Sequence, residues 1–246
     1  MTATEPGARV AAYRAARTRV LDRIRDAATR AGRDPASVTL LAVSKTIHAG
    51  ALRDAVAAGL DRLGENRVQE AVAKAPDVPG ASWQLVGPLQ GNKARKAIEV
   101  FESIQSVDSV TLAERLDRLS NEIRPGGRYP VLLQVNVDDD PAKAGFLPDA
   151  LAAAVGRLSE LTALEIRGLM TIGRLVDDPE AARPTFRQLR ALSEALRGGR
   201  GTVGPELSMG MTDDFEIAIE EGATIVRVGR ALFGERHDHD HGAADR

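Results

Sequence analysis

Near the start of the chain, Val10, Tyr13, Val20, Leu21 and Ile24 recur at helical spacing among arginines, which predicts an opening helix over residues 8–31 with a charged outer face. The period then changes. After the breaker Gly32-Arg-Asp-Pro35, residues 38–43 form a short, continuous apolar run, as a strand buried on both faces requires. Comparable runs follow at 62–66, 83–86, 101–107, 130–137, 165–172, 205–209 and 224–228. Helical stretches separate them, at 50–58, around Val68, Ala71 and Val72, and at 91–99, 110–123, 148–158, 179–196, 212–220 and 231–233.

Strands that alternate strictly with helices imply an α/β fold, a parallel sheet covered by helices, and eight such units close most readily into a single (β/α)8 TIM barrel with an extra N-terminal helix. An open doubly wound sheet is the alternative. The opening helix is expected to close the bottom of the barrel, its arginine face being otherwise a docking surface for a partner protein. No linker breaks the pattern, so one domain is expected over residues 1–236, followed by a disordered tail, 237–246. That tail alternates His and Asp from His237 to His241, a set of imidazoles in reach of a metal, but without apolar anchors no metal site is assigned to it.

Composition narrows the partners. With 246 residues, 43% of them hydrophobic, the chain can bury a full core, while a net charge of −2 and 3% aromatics offer neither the basic field nor the stacking surface of a nucleic-acid binder. No apolar run is long enough to span a membrane and residues 1–20 lack a signal-peptide core, so a cytoplasmic protein is expected. The absence of cysteine excludes disulfides and thiolate metal sites. Of 33 basic residues only Lys45, Lys74, Lys93, Lys96 and Lys143 are lysine. Where arginine is so prevalent, a lysine needed for its deprotonatable amine stands out.

In such barrels the active site lies at the C-terminal ends of the strands. Lys45 directly follows the first strand, where partial desolvation and cationic neighbours would lower its pKa and favour Schiff-base chemistry; a lysine snorkelling to solvent fits the same position. Leu207-Ser-Met-Gly-Met-Thr212 and Val226-Arg-Val-Gly-Arg230 run from the last two strands into helices, the place where barrels often bind phosphate. Gly229 would let the backbone approach a phosphate, and Thr212 would either donate its hydroxyl or act as a helix N-cap. A lysine at the mouth and a phosphate cradle leave two classes, a sugar-phosphate lyase of the aldolase type and a pyridoxal phosphate protein. The lyase would need acid and base residues, for which the strand ends offer few candidates beyond Glu65 and Asp108.

The stretches Leu41-Ala-Val-Ser-Lys-Thr46, Gly64-Glu-Asn-Arg-Val-Gln-Glu70, Val86-Gly-Pro-Leu-Gln-Gly-Asn-Lys93, Ser106-Val-Asp-Ser109, Gln134-Val-Asn136, Lys143-Ala-Gly-Phe146, Arg167-Gly-Leu-Met-Thr171 and the two phosphate-loop segments resemble, in this order, the pyridoxal phosphate homeostasis protein family, also called the proline synthase co-transcribed family. The resemblance implies a barrel like the N-terminal domain of alanine racemase, with Lys45 as the Schiff-base lysine. It further implies that Asn66, Ser208, Thr212, Gly229 and Arg230 surround the cofactor, mostly at its phosphate, and that Arg227 faces the pyridine nitrogen. Thr212 replaces the more usual Ser, Arg230 stands where Thr is common, and Gln84 and Gly91 replace a frequent His and Ser. Family members are described as carriers or regulators in vitamin B6 and amino-acid balance, with apo-enzymes and amino acids as the implied partners. The alternative is an amino-acid racemase, which needs a second base opposite the lysine; the only tyrosines are Tyr13 in the opening helix and Tyr129 before the fifth strand, at the wrong barrel end.

Overall fold

In the computed structural model, residues 6–174, 176–198 and 203–234 are described; the tail 237–246 lies outside them. The elements are α1 (Pro6–Arg30), β1 (Thr39–Val43), α2 (Ala49–Ala57), β2 (Arg62–Glu65), α3 (Val68–Lys74), β3 (Ser82–Leu85), α4 (Ala94–Val100), β4 (Ser103–Val107), α5 (Val110–Ile123), β5 (Tyr129–Gln134), α6 (Pro148–Leu158), β6 (Leu164–Met170), α7 (Arg183–Gly198), β7 (Glu206–Ser208), α8 (Phe215–Glu220), β8 (Ile225–Val228) and α9 (Arg230–Phe233). The strands pair in parallel and in chain order, and β8 closes on β1. The eight-unit barrel is thus realised and the open sheet is not.

Two apolar layers follow from the alternation of side chains along each strand. Leu41, Val86, Leu132, Met170 and Ile225 pack on one another inside the barrel. Ala42, Leu63, Leu85, Leu133, Leu169 and Val226 face outward into the main core beneath the helices. Register then assigns further residues to the inward face, since Arg227 pairs with Leu41, Ser208 with Met170, and Gln84 with Gly64. Gly64 is inward because a Cβ there would stand 3.2 Å from the Leu41 side chain.

The opening helix departs from expectation. It packs against α2, α8 and α9 on the flank, not across the bottom. α9 is a single turn, so the last position of the helical ring is nearly vacant, and α1 fills it with Ala16, Val20, Ile24, Ala27 and Ala28. Several of its arginines are also engaged within the chain: Arg23 binds Glu216 at 2.7 and 2.9 Å, Arg30 binds Glu220, and Arg9 pairs with Asp54.

Element ends differ for local reasons. Phe101 caps the end of α4 instead of opening β4. β5 stops at Gln134, after which Val135 forms an isolated parallel bridge with Phe146. Gly87 follows β3 so closely under β2 that a Cβ would lie 2.2 Å from the Asn66 carbonyl oxygen, which is why the Val86-Gly-Pro turn needs glycine.

Candidate cofactor site

Lys45 sits one residue beyond Ser44 at the end of β1, partly exposed, in phase with the inward Leu41 and Val43. Its amine therefore belongs to the mouth. Asn66 stands at the corresponding point after β2, half-buried, its backbone packed under Gly87. Glu65, one residue earlier, has the opposite phase: it is fully buried outside the sheet, accepting from Ser44 Oγ at 2.9 Å and from Lys74 Nζ at 2.8 Å. Burial pushes its carboxyl above the usual range, with Lys74 and Ser44 opposing. Glu65, one of the few acid or base candidates that the lyase alternative had, therefore faces away from the mouth. Asp108 does lie just beyond β4, half-buried.

Arg227 and Ser208 meet inside the barrel. The Arg227 Nη1 donates to Ser208 Oγ at 2.7 Å and Nη2 to the Thr171 carbonyl at 2.7 Å. Ser208 donates to Gln105 Oε1 at 2.6 Å, and Gln105 Nε2 donates to Gln84 Oε1 at 2.6 Å. This chain of polar groups links β3, β4, β7 and β8 just under the mouth. Sequence reading missed Gln105 and Thr171 as members; the available signal for Gln105 was a glutamine at the centre of the strand segment Ser103-Ile-Gln-Ser-Val107. Burial pushes the Arg227 guanidinium down to about 10, partly offset by the charge of Asp214. It remains a cation at neutral pH.

The loop after β7 is knitted to β8. Met209 N–H donates to the Ile225 carbonyl, and Arg227 N–H to the Gly210 carbonyl at 3.0 Å. Gly210 has φ +90°, and a Cβ there would stand 2.5 Å from Ala218. The helix expected from Thr212 starts only at Phe215, because the Asp214 carboxylate turns back to accept from Met211 N–H at 2.6 Å. Thr212 is thus no N-cap; it lies half-buried in the loop, its carbonyl 3.5 Å from Arg23 Nη2. Gly229 occupies the N-cap position of α9, where a Cβ would stand 3.4 Å from the Val43 carbonyl oxygen, beside the end of the lysine strand. Arg230 reaches across to pair with Asp213. An amine, a buried guanidinium, hydroxyls and two glycine-containing loops make a donor set that fits a phosphorylated aldehyde.

Both tyrosines are elsewhere. Tyr129 opens β5 at the N-terminal end and donates to the Phe101 carbonyl at 2.9 Å, and its burial pushes the phenol pKa up. Tyr13 packs edge-on against Phe233 on the flank. Among the described residues no helix is long and apolar enough to cross a membrane.

Comparison with known proteins agrees with this architecture. The family described as alanine racemase, N-terminal domain, matches residues 17–237. A Pseudomonas aeruginosa protein named pyridoxal phosphate homeostasis protein is 46% identical over 229 residues, 92% of this chain and 95% of its own length. PipY of Synechococcus elongatus, solved with PLP bound, is 44% identical with a TM-score of 0.76, covering 87% of this chain and all (100%) of PipY. Alanine racemase from Streptomyces coelicolor, at 22% identity and a TM-score of 0.64, shares the fold over 92% of this chain and 58% of its own. The chain belongs to the pyridoxal phosphate homeostasis protein family, built on the alanine racemase N-terminal barrel.

Proposed function

We propose that this chain holds pyridoxal phosphate as a Schiff base on Lys45 and acts as an intracellular carrier in vitamin B6 and amino-acid homeostasis, with no turnover of its own. The observation that carries the carrier reading is the pairing of a lysine at the mouth with no tyrosine near it: Tyr13 is tied to the flank and Tyr129 to the opposite barrel end. Loss of an opposed acid or base removes a contribution of about 10²- to 10⁴-fold. In this reading Asn66, Ser208, Thr212, Gly229 and Arg230 surround the cofactor, mostly around its phosphate, and the amino acids and apo-enzymes that exchange with the cofactor approach through the mouth.

When bound, the cofactor supplies an electron sink for the α-carbon of an amino acid, most effectively with its ring nitrogen protonated. Arg227, a buried cation, disfavours a second positive charge at that nitrogen. The site thus retains a reactive aldehyde without consuming amino acids. The test is to add alanine or serine to the holo-protein in heavy water and follow α-proton exchange by NMR. No exchange, or exchange far slower than about 1 s⁻¹, is expected; rates at or above that order would restore the racemase alternative.

A further inference from the structure

Lys45 is flanked by two main-chain features that its own chemistry does not explain. Thr46, directly after it, has φ +68°, a left-handed conformation that is a genuine outlier for a β-branched residue. Such strain persists only where the surroundings over-determine it. Directly before it, Ser44 is held on three sides: its N–H donates to the Gly64 carbonyl at 2.9 Å, its hydroxyl to Glu65 Oε1 at 2.9 Å, and its carbonyl accepts from Lys74 Nζ at 3.3 Å.

The groups that hold it form a partly buried ionic cluster. Lys74 Nζ, at the end of α3, lies 2.8 Å from Glu65 Oε1 and 3.4 Å from Glu70 Oε2. Glu70 Oε2 in turn stands 3.5 Å from the N–H of Thr46. Glu65 is 0% exposed and its Oε2 has no hydrogen-bond partner. With Glu65 fully buried, its carboxylate loses hydration that the attraction to Lys74 scarcely repays, so fold stability alone is a weak reason for the pair. What the cluster does secure is the peptide on each side of one residue.

We propose that Glu65 and Lys74 are positioning residues, which fix the Ser44-Lys45-Thr46 main chain from behind the sheet so that the Lys45 amine is presented to the aldehyde of the cofactor. This rests on Lys45 being the lysine that condenses with that aldehyde, a step that forms one C=N bond and releases one water.

Two ligands separate positioning from general support. Pyridoxal phosphate condenses with the lysine, whereas pyridoxine phosphate has the same ring and phosphate but an alcohol in place of the aldehyde. Equilibrium dialysis of both is carried out on the full chain, Glu65→Gln, Lys74→Met and Lys74→Arg. The expected result is that Lys74→Met and Glu65→Gln weaken pyridoxal phosphate about tenfold or more, the scale of one lost hydrogen bond to a charged group, with pyridoxine phosphate unchanged and Lys74→Arg intermediate. Equal weakening of both ligands, or of neither, overturns the proposal. Should Lys74→Met fail to fold, the same two-ligand comparison on Lys74→Arg decides. If borohydride reduction of the unaltered protein leaves no adduct on Lys45, the underlying cofactor reading fails instead.

Discussion

Arg227 donates to Ser208 Oγ across adjacent strands at 2.7 Å, and Ser208 passes the chain on to Gln105 at 2.6 Å. A guanidinium thus ends a polar relay inside the barrel, where an acidic residue could equally have been built. We expect that Arg227→Gln, which keeps a donor to Ser208 but removes the charge, raises α-proton exchange of a bound amino acid by about tenfold or more, equivalent to about 1.4 kcal/mol of barrier. Arg227→Lys should leave exchange at the level of the parent. Equal rates in all three proteins would contradict the electrostatic role of Arg227.

Thr212 lies in the loop ahead of α8, whose N-cap is Asp214, and we propose that its hydroxyl contacts the cofactor. Thr212→Val should weaken retention by about 1.5–3 kcal/mol in equilibrium dialysis and leave the melting temperature of the apo-protein unchanged. Arg230 pairs with Asp213 across the two loops and so neutralises a carboxylate next to the proposed phosphate position. Weaker binding is expected for Arg230→Thr. Stronger binding would show that the arginine is tolerated and unused.

The helix α8, behind the loop proposed to hold the phosphate, is anchored by Arg183, which binds Glu220 at 2.8 Å and Glu221 at 2.9 Å. The Arg183 bond holds the Glu220 carboxyl below its usual range against a burial effect of opposite sign. For Glu221 burial acts upward, but Arg187 and Arg183 together pull it lower. Groups depressed in the fold stabilise it above the ordinary carboxylate range, and that stabilisation disappears as pH falls through the folded value. Arg183→Met should therefore melt about 2–4 °C below the parent at neutral pH, for a loss near 1 kcal/mol at these partly exposed sites. The gap should narrow progressively as pH falls below the ordinary carboxylate value of about 4.3. A gap independent of pH would place the effect in packing instead.

Much of this was legible because barrel strands announce themselves as short apolar runs at regular intervals, and because Lys45 and the Gly210 and Gly229 loops fall at strand ends. What the sequence left hidden depends on partners. The periodicity of the opening helix marks its buried face but not the gap beside the one-turn α9 that receives it. Thr212-Asp213 mimics a helix start, yet the next aspartate bends back on Met211 and delays the helix to Phe215. Glu65 looked like a mouth residue until the inward phase of Gly64 sent it behind the sheet. Gln105 joined the site through contacts with other strands, Gln84 on β3 and Ser208, 103 residues distant, on β7.

Lys45 alone is proposed to form the covalent link, and peptide mapping by mass spectrometry after borohydride reduction of the holo-protein tests this most directly. The predicted result is a pyridoxyl phosphate adduct on the peptide containing Lys45, absent from a folded Lys45→Ala protein. An adduct mainly on Lys93 or Lys143, or one that survives in Lys45→Ala at the parent level, would contradict it.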